Sequence, residues 1–455
     1  MSDNTINIKK GLDIRVKGTA ALTTVDATTI QRYAVKPTDY VGVTPKLMVK
    51  EGDSVKAGSV LFYDKNNEAA RFTSPVSGTV EAVVRGDKRA ILRVVVAADG
   101  KMDSETFAHG NPAEMGREAV VKTLTESGVW TMLRQRPFGL VACPDDTPKA
   151  IFVSGFESAP LAPNYNYLIA SHEQEFDMGM EVLHTLVSAI HLSINPMLNN
   201  TVMPTQNYVK MHYFTGKHPA GLVGTQINRI DPVNKGEIVW TIKPVDICII
   251  GHLFLTGQYR PERLVAMAGP VVKNPQYYKM LQGACIESLA NNVTDDHVRY
   301  ISGDMLTGTN IGKNGFMGAT DNLLTVLPEG DKYDFMGWLA PGVKKYSFSH
   351  TFLSGFFQCG SKGCQKFLEG RELNTGLHGG VRPFVVTGEM EKVFPLDIYP
   401  LQLIKACIIG DIDLMENLGI YEVEPEDFAL CEFIDTSKTE IQNIIRQGLE
   451  TCRLN

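Results

Sequence analysis

Short apolar runs separated by turn residues extend over residues 40–97 of the chain. Glycine, proline, aspartate and serine interrupt these runs, as at Gly52-Asp53 and Ser77-Gly78. Strands that recur about every 8–12 residues with such punctuation are typical of a small sandwich or barrel. The pattern therefore predicts an all-β unit within an N-terminal region of residues 1–100.

Helix-like and strand-like patterns alternate in the next part of the chain. Residues 114–128 and 173–190 carry apolar positions at helical spacing, whereas the short apolar runs 150–154 and 167–170 predict buried strands. Alternation of this kind predicts an open α/β, Rossmann-like domain over residues 101–235.

Strand patterns dominate again after residue 235. Residues 237–242 and 245–250 predict strands, and residues 282–289 predict a helix that precedes a glycine-rich stretch. Residues 236–374 form a β-rich region that resembles the small β-grasp ligand-binding unit of redox-complex subunits.

Short, well-capped helices are expected in the remainder of the chain, which we interpret as a helical C-terminal domain of residues 375–455. They are predicted at 401–409, 414–419, 426–431 and 440–449. The predicted fold class is therefore a multidomain α/β protein.

Composition and charge restrict the classes of function that the chain can have. The 455 residues are 44% hydrophobic and carry a net charge of −7, which excludes a nucleic-acid binder because phosphate neutralisation requires a concentrated basic surface. The densest basic stretch is Arg85, Lys88, Arg89 and Arg93; it alternates with apolar residues and is interpreted as the solvated face of a strand. The most apolar run, 245–255, is too short to span a bilayer, so any membrane contact is expected to run through partner proteins or a surface patch.

Sequence motifs for resident cofactors are missing. The stretch 308–314 departs from a phosphate-binding loop in its glycine spacing, and no G-x-G-x-x-G fingerprint occurs. Cys359 and Cys364 lack the further cysteines of a ferredoxin motif or a zinc site, and the eight cysteines are interpreted as reduced thiols. We therefore predict no metal site, no catalytic residue and no cofactor bound by this chain.

One stretch, residues 210–225, has the composition of a ligand site. Its glycines allow close approach of the backbone, its basic side chains are donors, and its aromatic rings offer flat surface. A quinone head group requires that mixture, and the candidate quinone-binding residues are Tyr213, Phe214, Lys217, His218, Gly221 and Gly224. The alternative is a tight loop at a domain boundary in which His218 is merely hydrogen-bonded.

The N-terminal β unit resembles a biotinyl/lipoyl-type hammerhead. The two half-repeats are residues 49–58 with 61–62, and residues 74–80, which include Pro75 and Gly78. Lys65 lies two positions from the place of a modifiable lysine, so an unmodified scaffold is favoured. A carrier with a cofactor on Lys65, or an adaptor that binds a small ligand through the β-grasp unit, is the alternative function.

Four stretches in this order resemble the A subunit of the Na⁺-translocating NADH:quinone reductase: 9–13, 49–80, 217–225, and 410–411 with 429–433. The ferredoxin cysteines of the related C subunit of the Rnf complex are missing. The resemblance implies a peripheral subunit on the cytoplasmic side of the bacterial inner membrane, which contacts the membrane through its partner subunits and contributes to quinone binding. It also implies that NADH, flavins and iron–sulfur centres are bound by those partners. Gln226 and Asn228 stand where the family often has histidine.

Overall fold

The computed structural model describes residues 5–27, 30–198, 206–331, 335–337, 339–342, 345–348, 352–353 and 370–455. The strands within these residues fall into four sheets. In chain order they are β1 (Thr5–Ile8), β2 (Ala21–Asp26), β3 (Arg32–Val35), β4 (Pro45–Leu47), β5 (Ser54–Val55), β6 (Val60–Asp64), β7 (Arg71–Thr73), β8 (Gly78–Arg85), β9 (Ile91–Ala98), β10 (Arg134–Arg136), β11 (Leu140–Val141), β12 (Ile151–Ser154), β13 (Ile190–Ile194), β14 (Val209–Gly216), β15 (Val239–Ile242), β16 (Glu262–Ala268), β17 (Gln276–Leu281), β18 (Val298–Ser302), β19 (Thr309–Asn310) and β20 (Leu323–Pro328).

The α-helices of the described residues lie in the α/β region and in the C-terminal region. They are α1 (Pro112–Ser127), α2 (Tyr165–Ile169), α3 (Glu173–Leu186), α4 (Val223–Ile230), α5 (Pro244–Thr256), α6 (Met390–Val393), α7 (Pro400–Ile409), α8 (Ile412–Asn417), α9 (Ala429–Ile434) and α10 (Ile441–Leu454). None of these helices has the length and apolar character needed to cross a bilayer.

The predicted all-β unit is confirmed. Strands β3, β9, β8 and β5 form one sheet, and β4, β6 and β7 form a second. Phe62 and Phe72 stack on neighbouring strands at 4.7 Å between ring centroids, and Tyr40 packs edge-on against Phe72 at 4.6 Å. Lys65 lies on the exposed loop between β6 and β7.

The predicted α/β layer is also confirmed, with one helix in place of a strand. Its sheet has the order β1-β14-β13-β12-β15-β10-β11, in which the first five strands are parallel. Residues 167–170, predicted as a strand, belong mostly to α2, where the Asn164 side chain accepts a hydrogen bond from the Tyr167 amide. That cap favours a helical turn over an extended segment.

The strongest correction concerns residues 245–250, which form the middle of α5 and not a strand. Pro244 occupies the first turn, and Gly257 ends the helix in a left-handed conformation with φ of 72°. Nearly every residue of α5 is buried, so its apolar run lacks the amphipathic period that distinguishes a helix from a buried strand.

The β-rich region forms a six-stranded sheet of order β19-β18-β20-β16-β17-β2. Residues 282–289, predicted as a helix, instead form a turn, two isolated β-bridges from Ala284 to Tyr33 and from Cys285 to Phe316, and the start of a short 3₁₀ segment, Glu287–Asn292. The N-terminal region contributes β1 to the α/β sheet and β2 to this sheet, so it links all the layers.

The region predicted to be helical, residues 375–455, contains helices only from Met390 onward; residues 375–389 form no helix. Asp411 caps α8 by accepting a hydrogen bond from the Leu414 amide, and Gly410 ends α7 with φ of 72°. The predicted domain boundaries at residues 100, 235 and 374 stay predictions.

Candidate ligand site at the carboxyl edge of the parallel sheet

The candidate segment connects β14 to α4 at the carboxyl edge of the parallel sheet. β14 ends at Gly216, and the loop that follows carries Lys217 and His218. Glu157 and Ser158 come shortly after β12, and Lys243 follows β15. Because ligands of open α/β sheets bind outside the carboxyl ends of the strands, this edge is the part of the fold best suited to a site.

His218 is held in place by hydrogen bonds to Asp13 and Ser158. Its amide donates to Asp13 Oδ1 at 2.9 Å, and its Nδ1 lies 3.0 Å from Ser158 Oγ. Ser158 Oγ also accepts a hydrogen bond from the Gly221 amide at 2.8 Å. The His218 side chain is buried, and burial lowers its pKa, so the imidazole is neutral at pH 7.

A cavity of about 270 Å³, which we call the Ser158 cavity, opens beside this cluster. Its lining combines apolar side chains with a few polar ones. The lining residues are Asp13, Ile14, Arg15, Val16, Thr19, Ser158, Ala159, Pro160, Leu161 and Gly370. The polar residues Asp13, Arg15, Thr19 and Ser158 provide most of the surface that faces the cavity, and the apolar side chains lie beside them. Polar groups that fix orientation next to apolar contacts suit a small organic ligand with polar atoms.

A second cavity of about 270 Å³, the Glu157 cavity, lies on the other side of Ala159, which lines both. The charged groups around it are mostly acidic: Asp39, Glu157, Asp304, Asp321 and Lys243. Tyr165 donates a hydrogen bond to Glu157 Oε2 at 3.2 Å, and Lys243 donates to the Thr320 carbonyl at 3.1 Å. Burial, together with the charges of Asp304 and Glu426, raises the pKa of Glu157 to about 7 against the opposing effect of Lys243.

The structure places the six predicted site residues in different environments. His218 and Gly221 contact Ser158 at the wall of the Ser158 cavity; a Cβ on Gly221 would lie 2.5 Å from the Ser158 amide nitrogen. Tyr213 is half-buried on β14, and Lys217 is exposed. Phe214 is fully buried with Ile8, Phe156 and Ala220, so its ring faces a small core and not a ligand.

Gly224 lies at a contact between the α/β sheet and the C-terminal helices. A Cβ at this position would overlap the Asp427 carboxylate and lie 2.6 Å from Arg136 Nη1. Arg136 pairs with Glu426 at 2.5 Å and with Asp427 at 3.3 Å, and Glu424 pairs with Arg446 at 2.7 Å. Gly224 therefore serves the docking of two regions, which agrees with the alternative interpretation of the loop.

Three family profiles match the chain in sequence order. They are described as the NqrA N-terminal barrel-sandwich hybrid domain (residues 6–99), the NqrA second alpha/beta domain (residues 115–259) and the NQRA C-terminal domain (residues 264–313). The A subunit of the Na(+)-translocating NADH-quinone reductase from Hahella chejuensis is 39% identical over 451 residues, which cover 98% of both chains. The chain belongs to the NqrA family.

Other NqrA proteins are as similar over the same length. The A subunit of the Mannheimia succiniciproducens reductase is 38% identical over 453 residues, and that of Neisseria meningitidis serogroup B is 37% identical over 453 residues; each covers 98% of this chain. A solved NAD+-reducing [NiFe]-hydrogenase matches 48% of this chain at 11% identity and a TM-score of 0.32, a likeness too weak to carry an argument. Family membership confirms the resemblance seen in the motifs and the barrel-sandwich and α/β domains.

A metal site requires several cysteine, histidine or acidic side chains close together. Cys359 and Cys364 lie outside the described residues. In the described part of the chain, no group of three or more histidine, cysteine, aspartate or glutamate side chains is placed to hold a metal ion.

The Glu157 cavity leads to a pH-dependent prediction. The folded pKa of Glu157, about 7, lies above its ordinary value of 4.5, so the folded chain binds more protons and its stability falls as pH rises from about 4.5 to 7. Glu157→Gln is expected to remove this fall and to raise the free energy of unfolding by roughly 2 kcal/mol at pH 8. Urea unfolding at pH 5 and pH 8 measures the difference. Glu81 is exposed on β8, and Glu81→Gln is the control. Equal changes of unfolding free energy between the two pH values in the wild type and in Glu157→Gln would contradict the prediction.

Proposed function

We propose that the chain is a peripheral subunit of a Na⁺-translocating NADH:quinone reductase, on the cytoplasmic side of the bacterial inner membrane, and that its Ser158 cavity forms part of the quinone site. Family membership supports the complex. The observation that supports the quinone role is the Ser158 hydroxyl, which is fixed by His218 and Gly221 at the wall of a cavity that sets polar groups beside apolar side chains. The electron carriers then belong to partner subunits, and this chain has no catalysis of its own.

The hydrogen-bonding capacity of Ser158 explains how the cavity would recognise a carbonyl. A hydroxyl has two acceptor positions and one proton to donate. If the Gly221 amide and His218 Nδ1–H occupy the acceptor positions, the Ser158 proton is left for a quinone carbonyl oxygen. Arg15 lines the same cavity and supplies a second donor, while Ile14 and Leu161 supply apolar contact for the ring.

The β units have supporting roles in this proposal. The N-terminal sheets act as an unmodified hammerhead scaffold, in which Lys65 carries no cofactor. The sheet from β16 to β20 acts as the β-grasp unit and lines the Glu157 cavity through residues 302–309.

The experiment is a comparison of quinone kinetics in the assembled complex. Ser158→Ala removes the proposed donor and is expected to raise KM for quinone about five- to tenfold, the effect of one lost hydrogen bond, with little change in NADH oxidation by an artificial acceptor. His218→Ala removes the Nδ1–H that orients the Ser158 hydroxyl, so KM is expected to rise in this variant too.

Lys210→Gln is the matched control because Lys210 is exposed on β14, near the site but outside the cavity. Its kinetics are expected to equal those of the wild type. An assembled Ser158→Ala complex with unchanged KM for quinone would refute the proposed quinone role, and failure of the tagged chain to co-purify with partner subunits would refute the proposed complex.

A further inference from the structure

The hairpin of β8 and β9 extends beyond the sheet to which it belongs. β3 pairs with β9 only over residues 94–97, and β5 pairs with β8 only at Gly78 and Thr79. The last support on the β8 side is Glu51, which accepts a hydrogen bond from the Val83 amide at 2.8 Å. Within the described residues, the segment from Val84 to Arg93 is therefore a two-stranded ribbon without a third strand, and Val84 and Ile91 at its base still pack against the core.

The tip of this ribbon is a tight turn with unusual residues. The Ala90 amide donates to the Asp87 carbonyl at 3.0 Å, which closes a four-residue turn. Its two central residues, Lys88 and Arg89, both have positive φ, 52° and 62°. Turns of this kind strongly favour Asn-Gly because a Cβ is disfavoured in the left-handed region, by about 1 kcal/mol for each residue. Two long cationic side chains thus occupy the positions where the backbone favours the smallest residues.

The tip is cationic although the chain is acidic overall. Arg85, Lys88 and Arg89 are exposed, and none of them forms an ion pair among the described residues, although the exposed Asp87 lies between them in sequence. Arg85 Nη1 donates to the Arg89 carbonyl at 3.1 Å, and this bond keeps the Arg85 guanidinium next to the turn. Leu92 is 39% exposed beside them, whereas the guanidinium of Arg93 lies over the Phe316 ring and belongs to the base of the ribbon.

We propose that this tip, Arg85 to Leu92, contacts the anionic surface of a lipid bilayer. Three exposed cations and one exposed carboxylate, Asp87, leave the tip with a net positive charge beside an exposed leucine, which suits a diffuse negative surface with an apolar layer below it. A nucleic acid would require a wider basic face than three side chains provide. The inference goes beyond the proposed function and shares with it only the location at a membrane complex.

The contact is weak by itself and gains strength in a complex. Each unit of positive charge close to an anionic bilayer strengthens binding about fivefold, so the net charge of two that remains after Asp87 is counted gives a roughly 25-fold preference over a neutral bilayer. A protein that its partners already hold at the membrane presents the tip at high effective concentration, and a weak contact then suffices to fix its orientation.

The test uses the purified full chain and sedimentation with vesicles. Phosphatidylcholine vesicles with about one-third phosphatidylglycerol are compared with pure phosphatidylcholine vesicles, at about 0.05 M salt and at high salt. The wild type is expected to bind only the anionic vesicles and to be released by salt. The variant Lys88→Asn with Arg89→Gly places the favoured residues in the turn, so it folds at least as well, and it is expected to bind roughly 20- to 30-fold more weakly.

Two further variants complete the test. Lys122→Gln with Lys405→Gln removes the same charge from exposed positions on α1 and α7 and is expected to bind as the wild type does. Lys88→Arg with Arg89→Lys keeps both charges and is expected to retain binding. The proposal is overturned if the wild type ignores anionic vesicles, as it would if the tip docks on an acidic protein, or if the turn variant and the α1/α7 variant lose binding equally.

Discussion

Replacing Gly251 with alanine is expected to destabilise the chain by about 3 kcal/mol, although alanine is the better helix former. Gly251 lies in the middle of α5, and an added Cβ would overlap the Glu175 carbonyl oxygen of α3 and lie 2.8 Å from the Gly179 amide nitrogen. Gly179 in turn faces the Ile247 carbonyl of α5. Neither backbone can yield without separating the two helices, so the steric cost exceeds the gain of about 1 kcal/mol in helix propensity.

Chemical unfolding of the full chain, followed by circular dichroism, measures this effect. Leu255→Ala is the matched control, because Leu255 is 43% exposed in the last turn of the same helix and its loss is expected to change stability by less than about 1 kcal/mol. If Gly251→Ala were neutral or stabilising, the close packing of α3 against α5 would be wrong.

Helix α5 also shows what the sequence could and could not predict about the fold. Patterns with a clear period, such as 173–190, led to the correct element because one face of α3 is buried and the other is solvated, although the helix ends at Leu186 and Ile190 already begins β13. Residues 245–250 were wrongly predicted as a strand because a helix that is buried on all sides has no polar face, and its helical period is then not visible in the sequence. Pro244 and Gly257 were the remaining signals, since proline favours the first helical turn and glycine the end.

Only the site residues that have a signal in their local sequence could be predicted. The glycine-rich loop indicated His218, and the strand predicted at 150–154 placed its carboxyl end next to Ser158, so the rule for parallel sheets could have pointed to both. Asp13 could not be found, because it reaches His218 across about 200 residues of chain through the pairing of β1 with β14. The same applies to Gly224, whose requirement for glycine comes from Asp427 on a distant segment.

The second prediction with a large expected effect on stability concerns the ion pairs of Arg136. Burial alone would lower the pKa of Arg136, but Asp427, Glu426 and Glu424 outweigh it and raise the pKa. Arg136→Met leaves Asp427, whose side chain is fully buried, without its cation, and is expected to cost about 3–5 kcal/mol at pH 8. Arg453→Met is the control, because its i,i+3 pair with Glu450 is partly exposed and worth less than about 1 kcal/mol.

The loss caused by Arg136→Met should shrink in acid, and this distinguishes lost charge pairing from lost packing. Burial already raises the pKa of Asp427 to about 6, above its ordinary value of 3.8, against the opposing effect of Arg136. A raised folded pKa means that the folded chain binds more protons, so stability falls as pH rises above about 4, and without Arg136 the fall becomes steeper and extends to higher pH. Urea unfolding at pH 5 and pH 8 should therefore show a smaller loss at pH 5. Arg136→Met with Asp427→Asn, which removes the stranded charge, should recover part of the stability at pH 8; an equal loss at both pH values and no recovery would mean that Arg136 acts through its packing alone.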